Sequence, residues 1–180
     1  MKIEARQGLS HKMVELKARV DDLEVFRKKL GKLGAEYVGT FQQKDQYFEV
    51  PEGRLKLREV KDDNTLQLIY YDREDVAGPK NDDAFILKVQ EGEEFKEILD
   101  KILAPLVIVE KVREIYRYQE TQIHLDVVDG LGKFVEFERY VGKDSSKTEN
   151  GRKILENLMK QLDISSDSLE PLSYSDLIKD

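Results

Sequence analysis

"LVIVEKVREIYRYQETQIHLDVVDGLGKFVEFERY", residues 106–140, contains three runs in which apolar and polar residues alternate. Alternation places successive side chains on opposite faces of an extended chain, so each run predicts a β-strand. Only Gln119-Glu120 and the segment DGLG at 129–132 separate the runs. Connections this short predict that the three strands pair antiparallel with their neighbours in sequence.

Five further strands are predicted on the N-terminal side of this stretch. They are MVELKARV (13–20), the extended run EYVGTFQQKDQYFEV (36–50), RLKLREV (54–60), TLQLIYYDR (65–73) and AFILKVQ (84–90). Asp62-Asp63-Asn64 predicts a turn, and EDVAGPKNDD (74–83) predicts a loop. Eight strands that are mostly neighbours in sequence favour closure into a barrel or a pair of facing sheets.

Three helices are predicted among these strands. The first follows Asp21-Asp22 and ends at Gly34, which are typical capping residues. The second covers GEEFKEILDKILA (92–104) and stops before Pro105, and the third covers about 149–162. The pattern therefore predicts the α+β fold class with flanking helices, in which the strands form either an eight-stranded antiparallel closed barrel or a pair of facing sheets. Such a barrel has room inside for side chains or one small ligand.

The composition of the chain limits its function. A length of 180 residues suits one domain, which we place at 13–180 after an N-terminal extension at 1–12. The net charge of −7 argues against a nucleic-acid or membrane-surface partner. The absence of cysteine excludes disulfides, zinc–thiolate sites and thiol nucleophiles. No apolar stretch has the length of a membrane span, so we expect a cytoplasmic protein.

Charged residues alternate with apolar ones on several strands, and their sign differs from strand to strand. The basic positions are Arg54, Lys56, Arg58, Lys111 and Arg113, and the acidic positions are Asp126, Glu136 and Glu138. Such faces are usually the solvent-exposed side of a sheet. The three helices, however, need apolar sheet faces to pack on, which would turn the charges inward. Buried charges need partners, so this arrangement favours a bound polyanion and Mg²⁺ or Mn²⁺.

The motifs VELKARV, KDQYFEVPEGRLKLRE, EKVREIYRY, IHLDVVDGLGKFVEFE and PLSYSDLI occur in this order between residue 13 and about residue 178. In order and spacing the chain resembles the CYTH family, the triphosphate tunnel metalloenzymes, and within it the proteins similar to class IV adenylyl cyclases. The resemblance implies a closed eight-stranded tunnel that binds a triphosphate-containing small molecule together with Mg²⁺ or Mn²⁺.

The resemblance also implies roles for individual residues. It implies substrate binding by Lys17, Arg19, Lys56, Arg58, Arg73, Lys111 and Arg113. It implies metal binding by Glu15, Asp126, Glu136 and Glu138. Catalytic roles fall on Glu15, Lys17 and Glu136.

Two positions depart from the family pattern. The family signature near the N-terminus is Glu-x-Glu-x-Lys, and Met13 stands in place of the first Glu before Glu15 and Lys17. A thioether is a poor ligand for Mg²⁺ or Mn²⁺. Tyr71 stands where many relatives carry a lysine on the fourth strand, and Arg73 is the candidate replacement for that cation.

Three functions remain open at this point. A cyclase would convert ATP to cyclic AMP and pyrophosphate. A triphosphatase would hydrolyse inorganic, thiamine or nucleoside triphosphate. The departures at Met13 and Tyr71 leave a third alternative, a non-catalytic module that binds a nucleotide or polyphosphate. Neither a nucleic acid nor a membrane is an expected partner, and the sequence does not distinguish a monomer from a homodimer.

Overall fold

The computed structural model describes residues 11–61, 65–90, 92–142 and 145–179. Eight antiparallel strands close into a barrel, as predicted, in the order β1-β5-β4-β3-β2-β6-β7-β8. The strands are β1 (His11–Val20), β2 (Glu36–Phe48), β3 (Arg54–Val60), β4 (Thr65–Arg73), β5 (Lys80–Val89), β6 (Pro105–Tyr118), β7 (Thr121–Val128) and β8 (Gly132–Tyr140).

The flanking helices are α1 (Leu23–Leu33), α2 (Gly92–Ile102), α3 (Ser145–Gln161) and α4 (Tyr174–Lys179). The predicted ends of α1 are confirmed, since the Asp22 side chain accepts from the Glu24 N–H and Gly34 adopts a φ of 74°. Glycine has no Cβ to oppose that left-handed conformation. Helix α3 begins before its predicted start at residue 149, and α4 was not predicted as a helix.

Most of the apolar core lies outside the barrel, between its outer surface and the helices, and a smaller apolar cluster that includes Ile69 and Tyr71 lies inside. Outward side chains of β1, β7 and β8, among them Leu16, Leu125 and Phe137, pack with residues of α1 and α3 and are almost fully buried. A smaller core lies under α2, where Leu99 packs with Leu57. The helices therefore cover the apolar faces of the strands, and the charged faces point into the barrel.

Strand β5 begins at Lys80, whereas the sequence predicted a loop as far as Asp83. Lys80 pairs with Glu15, and Asp82 pairs with Met13 on β1, so these polar residues help to close the barrel. Residues 80–83 are all polar, so this part of β5 lacks the alternation of apolar and polar residues that predicts a strand. For that reason the start of β5 resembled part of the preceding loop.

Some predicted features lie outside the described residues. They are the turn at 62–64 and residues 1–10 of the predicted extension. Strand β1 already includes His11 and Lys12, the last two residues of that extension. No helix within the described ranges combines the length and the apolar composition needed to cross a bilayer.

The segment that follows α3 closes one end of the barrel. Leu169 forms a β-bridge with Ala18, and the carbonyl of Pro171 accepts from Lys80 Nζ at 3.2 Å. The ring of Tyr174 then enters the barrel and is 5 % exposed. The interior is consequently accessible from the opposite end.

Candidate functional site

The barrel encloses a cavity of about 590 Å³. Small-molecule sites typically have volumes of about 300–1,000 Å³. Tyr174 lies at its closed end, whereas Ile86, Lys88 and Tyr140 line it with side chains that are exposed to solvent. The cavity is therefore a deep pocket that a ligand enters from one end.

Asp45 on β2 is a fully buried carboxylate surrounded by three cations. Arg58 donates to both of its oxygens at 2.7 Å, and Lys111 and Lys56 approach Oδ2 to 2.9 and 3.1 Å. Burial alone would raise the pKa of Asp45, but Arg58, Lys111 and Lys56 hold it well below its usual range. Burial, together with the neighbouring cations Arg58, Arg113 and Lys56, lowers the pKa of Lys111 to about 7 despite the attraction of Asp45. Three cations thus share one anion, which leaves this part of the cavity positive.

Arg113 on β6 joins the two acidic strands. Its Nε and one NH₂ group donate to the two oxygens of Asp126 at 2.7 and 2.6 Å, and the same NH₂ group donates to Glu136 at 2.6 Å. Tyr174 donates its hydroxyl to Asp126 Oδ2 at 2.8 Å. Burial alone would raise the pKa of Asp126 and of Glu136, but Arg113 lowers both. Both oxygens of Asp126 are therefore already bound by protein groups.

The three predicted catalytic residues lie in one ion-pair network. Lys17 Nζ is 3.9 Å from Glu15 Oε1 and 3.5 Å from Glu136 Oε1. Arg73 NH1 donates to Glu15 Oε1 at 2.8 Å. Lys17 also lies 4.2 Å from the ring centroid of Tyr174, which places this network near the closed end.

A set of possible divalent-cation ligands lies nearer to solvent. His124, Glu136 and Glu138 each present one donor atom within 4.8 Å of the others, and the Glu138 side chain is 25 % exposed. On β5 the buried Oδ1 of Asp82 has no hydrogen-bond partner among the described residues. Burial, together with Glu15 and Glu138, raises the pKa of Asp82 to about 8. Carboxylate oxygens are the donors that Mg²⁺ and Mn²⁺ prefer, so these residues fit such an ion.

Most of the predicted site residues line this one cavity. They are Glu15, Lys17, Lys56, Arg58, Arg73, Lys111, Arg113, Glu136 and Glu138. Arg19 does not line it, because its guanidinium is directed to the carbonyl of Leu131, 2.7 Å away. Asp126 is fully buried behind Arg113 and holds that guanidinium in place.

The two departures from the family pattern also lie in the cavity wall. The hydroxyl of Tyr71 is 3.4 Å from that of Tyr47, and Lys56 Nζ lies 5.2 Å from the Tyr71 ring centroid. A neutral aromatic ring therefore occupies this position, and Arg73 lies two residues further along the same strand face.

Sequence reasoning missed three functional side chains, Asp45, Asp82 and Tyr174. Alternation along β2 does place Asp45 on the same face as Gln43 and Tyr47, which line the cavity, and this shared face could have identified Asp45 from the sequence. Its pairing with Lys111 depends on how β2, β3 and β6 align, which no single strand specifies. The contact of Tyr174 with Asp126 likewise joins distant parts of the chain.

The model of the CYTH domain family matches residues 11–174. A Methanocaldococcus jannaschii protein that carries the provisional name of an adenylate cyclase is 29 % identical over 179 residues, which cover 91 % of this chain and 97 % of that protein. A Pyrococcus horikoshii protein of solved structure is 26 % identical with a TM-score of 0.82, over 92 % of this chain and 98 % of the other.

A Hippeastrum protein, described as a provisional adenylyl cyclase with a dominant triphosphatase activity, shares the fold at 16 % identity. Its TM-score is 0.64, over 93 % of this chain and 95 % of the other. The family match spans nearly all the described residues and includes all eight strands of the barrel. The chain therefore belongs to the CYTH domain family.

Proposed function

We propose that the chain is a divalent-cation-dependent enzyme that acts on a nucleoside triphosphate and breaks the bond between the α- and β-phosphates, as an adenylyl cyclase does. The observation that carries this proposal is the cluster of Lys56, Arg58 and Lys111 around a single anion, Asp45, inside a pocket closed at one end. A polyanion with several phosphates balances such a cluster.

The open end of the pocket favours an organic triphosphate over inorganic tripolyphosphate. Its wall includes the apolar side chains of Phe41, Val60, Ile86 and Ile115, with amides such as Gln67 among them. Apolar surface with a few convergent polar groups is typical of sites that bind an organic ring system. Inorganic tripolyphosphate would leave this part of the wall without a partner.

The closed end supports one direction of binding. A nucleoside triphosphate that enters with its terminal phosphate first brings that phosphate towards Lys17 and Tyr174. Its α-phosphate then lies nearer the open end, on the side of the partly exposed Glu138. In this order Glu138 would lie beside the α-phosphorus, where cyclisation occurs.

In the proposed reaction the ribose 3′-oxygen attacks the α-phosphorus and the bond to the oxygen shared with the β-phosphate breaks. Pyrophosphate leaves, and the hydroxyl proton passes to a carboxylate. Arg58, Lys111 and Arg113 hold the leaving pyrophosphate, and Asp126 keeps Arg113 aimed into the cavity. A divalent cation held by carboxylates of the cavity wall, Glu138 among them, would supply neutralisation of the charge that develops at the reacting centre.

The second candidate is a triphosphatase, in which water attacks the terminal phosphorus and orthophosphate leaves. It is favoured by the depth of Glu15 and Glu136, which are 4 % and 5 % exposed and contact Lys17. A water molecule beside these carboxylates would face the terminal phosphate. The Hippeastrum protein of the same fold is described as having this activity.

Phosphorus-31 NMR of the protein with ATP, and separately with tripolyphosphate, in Mg²⁺ and then in Mn²⁺, distinguishes these functions. The proposal predicts pyrophosphate and a cyclic phosphate from ATP, with no orthophosphate. Orthophosphate from either compound would instead identify a triphosphatase. Unchanged compounds with broadened lines would identify a binding module without catalysis.

A further inference from the structure

The position of Met13 has an acidic neighbour on the adjacent strand. Met13 pairs with Asp82 on β5 and with Tyr140 on β8, and one step further along β1, Glu15 pairs with Glu138. Paired residues of adjacent strands point to the same side of a sheet. Met13 and Asp82 both line the cavity. A carboxylate is therefore present at the level of Met13, displaced by one strand.

Asp82 differs from the other buried acids of the barrel in having an unused oxygen. Its side chain is buried, with the residue 8 % exposed, and Oδ1 has no hydrogen-bond partner among the described residues. Asp45 and Asp126, in contrast, have both oxygens bound by arginine. Leaving a buried carboxylate oxygen unpaired is unfavourable, so Asp82 Oδ1 is available as a ligand for a bound cation.

The charges around Asp82 are of both signs. Its acidic neighbours are Glu15 and Glu138, and its basic neighbours are Arg73 and Lys56. Arg73 is also engaged elsewhere, since it donates to Glu15 at 2.8 Å and to the carbonyl of Pro171 at 3.1 Å. Arg73 is also the cross-strand partner of Asp82, and its Nε has no hydrogen-bond partner among the described residues. Glu15, Asp82 and Glu138 present carboxylate oxygens, the hard donors that Mg²⁺ and Mn²⁺ prefer.

We propose, on the basis of the function proposed above, that Asp82 supplies the carboxylate ligand missing at Met13, so that Glu15, Asp82 and Glu138 hold the divalent cation. Mg²⁺ usually keeps several waters and binds through one or two carboxylates. Three acids on neighbouring strands satisfy this requirement without direct contact from all of them.

The alternative set of His124, Glu136 and Glu138 has tighter geometry, within 4.8 Å. Glu136, however, already accepts from Arg113 at 2.6 Å and lies 3.5 Å from Lys17. A cation there would compete with two protein cations for Glu136. Glu15 is likewise paired with Arg73 and Lys17, whereas Asp82 Oδ1 accepts no hydrogen bond from any described residue. Glu138 belongs to both sets, whereas Asp82 belongs only to the one we propose, so Asp82 is the residue that tests the assignment.

The test is isothermal titration calorimetry with Mn²⁺ alone. The Asp82→Asn variant keeps the shape of the side chain and removes its charge, and we expect it to lower the Mn²⁺ affinity by about tenfold or more. The control is Glu97→Gln on α2, which removes the same charge from a side chain that is 68 % exposed. The control should bind Mn²⁺ as the parent chain does.

A compensating variant makes the test specific. Met13→Glu combined with Asp82→Asn restores three carboxylates at this level of the barrel and should recover the Mn²⁺ affinity lost in Asp82→Asn. Circular dichroism at increasing temperature confirms that each variant is folded. Equal Mn²⁺ affinity in the parent chain and in folded Asp82→Asn would overturn the inference.

Tripolyphosphate binding in EDTA, measured on the same proteins, separates this inference from the proposed function. Retained tripolyphosphate binding, with Mn²⁺ affinity that does not depend on Asp82, would overturn the inference and leave the proposed function standing. A parent chain that binds Mn²⁺ through Asp82 but no tripolyphosphate would support the inference and contradict the proposed function.

Discussion

Replacement of Asp45 by Asn should have two opposite effects, because Asp45 is the single anion shared by Arg58, Lys111 and Lys56. The variant leaves three buried cations without their counter-ion. Removal of one partner of a buried ion pair typically costs about 3–5 kcal/mol of unfolding free energy. For a domain of this size each kcal/mol lowers Tm by about 2–4 °C, so we expect a decrease of roughly 6–20 °C.

The decrease should depend on pH and on ligand. Lys111, with a pKa lowered to about 7, can lose its proton, so the penalty should be smaller at pH 8 than at pH 6. Tripolyphosphate supplies the missing negative charge, so saturating tripolyphosphate should raise Tm more in Asp45→Asn than in the parent chain.

Differential scanning fluorimetry at both pH values, with and without tripolyphosphate in EDTA, measures all of these effects. The exposed control Glu97→Gln should change the unfolding free energy by less than about 0.5 kcal/mol. An Asp45→Asn variant as stable as the parent chain at pH 6 would refute the reasoning. So would a ligand-induced rise in Tm that is no larger in the variant.

Three further predictions concern single side chains. Lys111 loses its charge as pH rises through about 7. The tripolyphosphate affinity of the parent chain, measured by calorimetry, should therefore fall relative to that of Lys111→Met. A ratio of the two affinities that stays constant with pH would contradict this prediction. Tyr174→Phe removes the hydrogen bond to Asp126 and should lower the free energy of unfolding in urea by about 1.5–3 kcal/mol. An unchanged urea midpoint would show that this hydroxyl is not needed. Met13→Glu adds a carboxylate beside Asp82 and should raise Mn²⁺ affinity by about tenfold or more. ATP turnover that appears only in this variant would identify the natural chain as a binding module.

The barrel and the direction of its charged faces followed from local patterns. Alternation on β1, β3, β6, β7 and β8 specified which residues share a face, and the amphipathic helices required the apolar faces for packing. Val135 and Phe137 accordingly lie under the helices, whereas Glu136 and Glu138 line the cavity. Both the alternation of apolar and polar residues and the need of the helices for an apolar surface can be seen in a single sequence.

The contacts between side chains inside the site could not be predicted from the sequence. Asp45 neutralises Lys111 only because β2 lies between β3 and β6, and that alignment results from closure of the whole barrel. Tyr174 forms a hydrogen bond with Asp126, which lies 48 positions earlier in the chain. Asp82 resembled a loop residue because both faces of the first half of β5 are polar. Contacts of this kind depend on register and chain path, which residue periodicity does not report.

The central claim is that the inside of the barrel binds a triphosphate through its cations. The most direct measurement is calorimetry of tripolyphosphate binding in EDTA to the parent chain, to Arg58→Gln and to Lys101→Gln, a control on α2 whose side chain is 70 % exposed. We predict that the parent chain and the control bind equally, and that Arg58→Gln binds about tenfold or more weakly. No binding by the parent chain, or equal affinities in all three proteins, would contradict the claim.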